Sequence, residues 1–165
     1  MNQADDFADL YQQVILDHGR NPRHGKRLAR FDATAKGDNP MCGDRVQVWI
    51  SLDNGTIGDV GFEARGCAIS VASADLMADA VRGRAPADTK ALFEAFRTMV
   101  KTGACPHDDD SLAAPLQDLA PLAGVHEYPS RVKCATLPWH ALIAALEGGG
   151  SQGGNSEGVK EASRE

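Results

Sequence analysis

Four cysteines, Cys42, Cys67, Cys105 and Cys134, are the residues of this chain with the widest chemical repertoire. Ionised, a thiol is both a metal ligand and a nucleophile. Cys42 sits in Asn39-Pro-Met-Cys-Gly-Asp44, a turn-rich loop, with Asp44 two residues on. Cys67 sits in Gly66-Cys-Ala-Ile-Ser70, and Cys134 in Arg131-Val-Lys-Cys. Three sulfurs and one carboxylate oxygen in a tetrahedron suit Zn²⁺. Such a site carries net negative charge, which Arg131 and Lys133 beside Cys134 would offset. The spacing is not that of a zinc finger. Each cysteine taken alone also reads as a small buried hydrophobe. Asp44, by spacing alone, reads first as a loop or strand-cap residue. Cys105 and His107 form an isolated Cys-x-His and are read as non-functional. His18, His24, His126 and His140 show no catalytic pairing.

The elements that must position these thiols follow from hydrophobic periodicity. Residues 5–19 place Phe7, Leu10, Tyr11, Val14 and Ile15 on one helical face, with Gly19 as a stop. Residues 45–52 alternate as a strand. Asp53-Asn54-Gly55 is a hairpin turn, because Asn-Gly accepts positive φ, and residues 56–64 form the return strand. A third strand is placed around Phe31–Lys36. A helix after Cys67 ends at Gly83, and another covers 87–101. A short helix lies around 112–119, and the last is placed over 137–147, with Thr136 as N-cap and Pro138 in its first turn. On this map Cys42 and Cys67 flank the hairpin, so its antiparallel strands bring them together. Cys67 and Cys134 fall at helix N-termini, where the dipole favours a thiolate.

Composition narrows the function classes. With 165 residues, 42% of them hydrophobic, the chain fits one domain with a real core. Its formal net charge of −6 argues against a nucleic-acid surface. No apolar run is long enough to span a membrane, and the acidic start lacks a signal-peptide pattern. The expected location is the cytoplasm. The expected organisation is one domain over 1–147 and a disordered, Gly- and Ser-rich tail over 148–165.

Taken together, Asn39-Pro-Met-Cys-Gly-Asp44, Gly66-Cys-Ala-Ile-Ser-x-Ala-Ser-Ala-Asp-Leu-Met77 and Arg131-Val-Lys-Cys-Ala-Thr-Leu-Pro-Trp139 resemble the three cysteine motifs of the IscU/NifU-like iron–sulfur assembly family. Leu10-Tyr11, Ile15-Leu-Asp-His18 and Asn21-Pro22 match as well, so the resemblance covers roughly 6–147. The scaffold branch ordinarily carries a His before the third cysteine, where this chain has Lys133. The Asp- and Pro-rich stretch around 102–125 fits an insertion of the SufU branch.

The resemblance implies an α+β fold, a small antiparallel sheet of two or three strands packed against several helices. It implies zinc on Cys42, Asp44, Cys67 and Cys134. It also implies sulfur transfer from a SufS-type cysteine desulfurase towards a SufBCD scaffold complex. Cys42, on the most turn-rich loop, is the expected sulfur acceptor; in the family, a desulfurase His replaces this cysteine on zinc. Arg131 is expected to steer the complex or stabilise the thiolate. Two alternatives stand beside this reading. One is a scaffold building a transient [2Fe–2S] cluster on the same residues; the other is a structural zinc module that only docks partners.

Overall fold

The computed structural model describes residues 3–39, 43–104 and 112–148. The chain begins with helix α1 (Gln3–Arg20). Three strands follow, β1 (Ala33–Asn39), β2 (Asp44–Asp53) and β3 (Thr56–Arg65). Then come α2 (Ala68–Val81), α3 (Pro86–Thr102) and α4 (Ala113–Leu119). A 3₁₀ segment (Ala120–Glu127) leads into α5 (Pro129–Gly148). The architecture is the expected α+β one: an antiparallel sheet of order β1-β2-β3 with helices against it.

The β2–β3 hairpin turns where the sequence placed it. Asn54 and Gly55 both adopt positive φ, 54° and 82°, which a two-residue hairpin turn requires. Pairing runs from Asp53↔Thr56 to Arg45↔Arg65. Register therefore brings Asp44, just before that last pair, beside Gly66 and Cys67. The third strand pairs Ala33↔Ile50 through Asn39↔Asp44; it is shifted towards the Cys42 loop relative to the 31–36 expectation.

One sheet face supplies Val48, Ile50, Val60 and Phe62 to the core. The helices supply Met77, Val81, Leu92, Phe96, Leu116, Leu119 and Leu142. Trp139 stacks on Phe96 at 4.8 Å between ring centroids. On the opposite face Trp49 is buried too, although it alternates with the core strand positions. The segment between α1 and β1 lies over it: the Arg27 guanidinium is 5.6 Å from the Trp49 ring. A Cβ at Gly61 would stand 2.3 Å from the Lys26 carbonyl oxygen, so that close approach requires glycine.

The main departure from expectation is the last helix. It starts at Pro129, eight residues earlier than the 137–147 placement. Proline suits a first helical position, where no N–H partner is needed. Pro138 is therefore interior rather than near the start. An interior proline costs roughly 3 kcal/mol, here offset by burial of Leu137, Trp139, Ala141 and Leu142. Thr136 is no N-cap: its hydroxyl donates to the Val132 carbonyl at 3.1 Å, one turn back. Cys134 consequently lies in the second turn of α5, not at a helix N-terminus. The tail was expected over 148–165; α5 includes Gly148, and residues 149–165, like Cys105, lie outside the described residues.

Candidate metal centre

The site is assembled where the open end of the hairpin meets α2 and α5. Asp44 opens β2 on the same face as Val46 and Val48, and is 1% exposed. A carboxylate buried there needs donors, because desolvation penalises its charge. It has two from the next segment. The Cys67 backbone N–H donates to Asp44 Oδ1 at 3.0 Å, and the Ser70 hydroxyl to Oδ2 at 2.7 Å.

Gly66 makes this approach possible. Its φ is +145°, and a Cβ there would stand 2.0 Å from Asp44 Oδ1. Both the backbone conformation and the space exclude a side chain.

Cys67 is the N-cap of α2 and is partly exposed. Its sulfur lies 3.5 Å from Asp44 Oδ2. Cys134 is buried, with its sulfur 3.7 Å from the Ser130 carbonyl oxygen of its own helix. One ligand atom from each of Asp44, Cys67 and Cys134 lies within 4.8 Å of the others. The tertiary structure thus gathers three of the four expected ligands from three separate elements. Cys42 lies outside the described residues; on either side of it, the Gly43 N–H donates to the Asn39 carbonyl at 2.7 Å.

The electrostatics favour ionised sulfur. The Cys67 thiol is drawn down from 9.0 to about 6, first by a hydrogen bond with Cys134. Backbone N–H groups of Ser70 and Ile69 at the start of α2 add to this. Burial and the Asp44 charge oppose it without cancelling it. Arg131 is held more firmly protonated than usual, chiefly by a hydrogen bond with the Cys134 side chain and then by the Cys67 charge. Arg131 therefore offsets the site's negative charge, as expected. Lys133 instead lines a groove with Arg97, Lys101 and His126.

The arrangement fits zinc. Zn–S bonds of about 2.3 Å and Zn–O bonds of about 2.0–2.2 Å set a tetrahedral S···O edge near 3.5 Å. The Cys67–Asp44 separation has that length. Clustered acidic oxygen and ionised sulfur, two of the three residues buried, also call for a cation.

Sequence reading missed Ser70, which is fully buried between Asp44 and Cys134. The available signal was its place three residues after Cys67, the third helical position where capping boxes reach back. Two of the histidines that show no catalytic pairing in the sequence have carboxylate partners. His18 Nδ1 meets Asp75 Oδ2, and His24 Nε2 lies 2.7 Å from Asp79 Oδ1. Both contacts tie the N-terminal segment to α2 rather than joining the three ligands.

The model of the NifU-like N terminal domain matches residues 10–135. The chain belongs to the NifU-like N-terminal domain family. The zinc-dependent sulfurtransferase SufU of Bacillus subtilis (strain 168) is 39% identical over 143 residues, covering 85% of this chain and 93% of that protein. The iron–sulfur cluster assembly scaffold protein IscU of Streptococcus pyogenes serotype M1 is 37% identical over 138 residues, covering 84% and 83%.

Two solved structures of related proteins share the NifU-like fold. An iron–sulfur cluster assembly scaffold protein for the SUF system from Fervidobacterium islandicum AW-1 superposes with a TM-score of 0.70 at 30% identity, covering 81% of this chain and 94% of that one. The N-terminal part of a NifU-like protein from Brucella abortus gives 0.72 at 25% identity, covering 86% and 94%. This NifU-like domain is thus of the SufU type of iron–sulfur cluster assembly proteins, a group named for both scaffolding and sulfur transfer. Among its described residues no helix is long and apolar enough to cross a membrane.

Proposed function

We propose that this domain is a zinc-dependent sulfurtransferase that accepts persulfide sulfur from a SufS-type cysteine desulfurase and relays it towards a SufBCD scaffold complex. The observation that carries the reading is the convergence of Asp44, Cys67 and Cys134 around a thiol drawn down to about 6. Likeness to a protein named as a zinc-dependent sulfurtransferase supports it.

In this reading Cys42, Asp44, Cys67 and Cys134 hold Zn²⁺. Bound zinc supplies the positive charge that keeps the thiolates ionised at neutral pH. Asp44 is oriented by the Cys67 N–H and the Ser70 hydroxyl. Cys42, on the loop between β1 and β2, is the acceptor. Its thiolate attacks the outer sulfur of the donor's persulfide. The donor's S–S bond breaks, its thiolate leaves with the electron pair, and a new S–S bond forms on Cys42. Sulfur moves with no net oxidation. Arg131, exposed and charged beside the thiolates, steers the donor and steadies the anion.

The test is sulfur transfer by Cys42→Ala, read as persulfide by mass spectrometry after incubation with desulfurase and cysteine. Loss of transfer is expected. A variant that accepts sulfur at the normal rate overturns the assignment.

The scaffold reading has in its favour the likeness to scaffold-named proteins, at 37% and 30% identity. Thiolates bind iron–sulfur clusters as well as zinc, but Lys133 stands where the scaffold branch carries a His. Anaerobic reconstitution with iron and sulfide in the presence of zinc separates the two. A stable, transferable [2Fe–2S] cluster supports the scaffold.

A further inference from the structure

We infer that Ser70 is a positioning residue that fixes Asp44, Cys67 and Cys134 in one arrangement. This rests on the metal reading above and adds to it a residue that is not itself a ligand.

A buried serine in a helix ordinarily donates to the carbonyl one turn back. Ser70 does otherwise. Its side chain has no exposed surface, and its contacts reach far along the chain. The hydroxyl lies 2.7 Å from Asp44 Oδ2, across 26 residues of sequence. It lies 3.2 Å from the Cys134 carbonyl oxygen, across 64 residues. Its Oγ is 3.9 Å from the Cys67 sulfur, and its backbone N–H is hydrogen-bonded to that residue. One residue therefore touches all three described ligands.

The Cys134 carbonyl differs from its helical neighbours for a sequence-encoded reason. In a regular helix it would accept from the N–H four residues on. That residue is Pro138, which has no N–H. The Ser70 hydroxyl approaches this same carbonyl. With one proton and two acceptors in reach, the hydroxyl links the β2 carboxylate to the α5 backbone. The carboxylate is nearer and charged, so it is the stronger acceptor. Ser73, one turn further along α2, donates to the Ala135 carbonyl. It ties the same two helices together through Ala135, which is not one of the three ligands, and so serves as an internal control.

The experiment measures zinc affinity by competition with a chromophoric chelator, and the absorption spectrum of the cobalt-substituted protein, for wild type, Ser70→Ala and Ser73→Ala. Removing a group that orients a metal ligand typically weakens metal binding about 10–100-fold. That loss, with an altered cobalt spectrum, is expected for Ser70→Ala and not for Ser73→Ala.

If alanine at position 70 prevents folding, Ser70→Thr and Ser70→Val, matched in volume, isolate the hydroxyl. Threonine should bind at least tenfold more tightly than valine. Equal affinity for that pair, or wild-type affinity and spectrum for Ser70→Ala, overturns the inference. A wild-type protein that binds no zinc instead overturns the metal reading itself.

Discussion

Replacing Gly66 with alanine sets a Cβ 2.0 Å from Asp44 Oδ1, at a backbone φ of +145°. Two costs follow. The backbone conformation is one that L-residues rarely adopt, worth about 1–3 kcal/mol. The Asp44 carboxylate must also move, which loosens its bonds from the Cys67 N–H and the Ser70 hydroxyl. Hydrogen bonds to a charged group contribute about 1.5–3 kcal/mol each. Partial relaxation leaves a total near 3–5 kcal/mol, a large share of a typical domain's 5–15 kcal/mol. Gly83→Ala is the control. Its φ is +83°, but nothing lies within 4 Å of the added Cβ, so only the backbone cost of about 1–2 kcal/mol applies. Chemical denaturation of the metal-free proteins should separate the two variants by about 2 kcal/mol, the carboxylate's part of the cost. Elemental analysis should show zinc lost only from Gly66→Ala. Equal destabilisation of both, or full zinc occupancy in Gly66→Ala, would refute the argument that this glycine seats Asp44.

Metal-free protein should show an early Cys67 alkylation profile. The thiolate is the reactive form and its folded-state midpoint is about 6 rather than 9.0, so the rate should rise through pH 6 and level off near neutrality. Peptide mass spectrometry after brief iodoacetamide pulses reads this, and a midpoint near 9 would contradict the hydrogen-bonded geometry. Arg131→Ala should slow sulfur transfer from the desulfurase about tenfold at low salt while leaving thermal stability unchanged, as expected for an exposed steering charge. Rates measured across a salt series would show the difference shrinking as screening increases.

Much of the fold was legible because its signals are local. Asn54-Gly55 dictated the hairpin turn and with it the return strand β3, alternation dictated β2, and helical periodicity dictated α2 and α3. The hairpin's antiparallel pairing likewise made it foreseeable that residues near 44 and 67 would meet. The start of α5 was misplaced because Pro138 reads locally as a helix beginning. Burial of Trp139 and its neighbours keeps the helix running through that proline, and burial is a property of the assembled core.

The sequence by itself supplied the candidate donors: three motif cysteines, an aspartate beside the first, and the glycines that let backbone pass close by. Residue types and local conformational limits are written along the chain. Only the tertiary structure decided that Asp44 points inward to meet Cys67 and Cys134, and that Cys134 lies in the second turn of a helix. It also decided that Ser70 bridges Asp44 and Cys134. Those relations join β2, α2 and α5, elements separated by as many as 64 residues. They depend on which faces pack together, which no local pattern specifies.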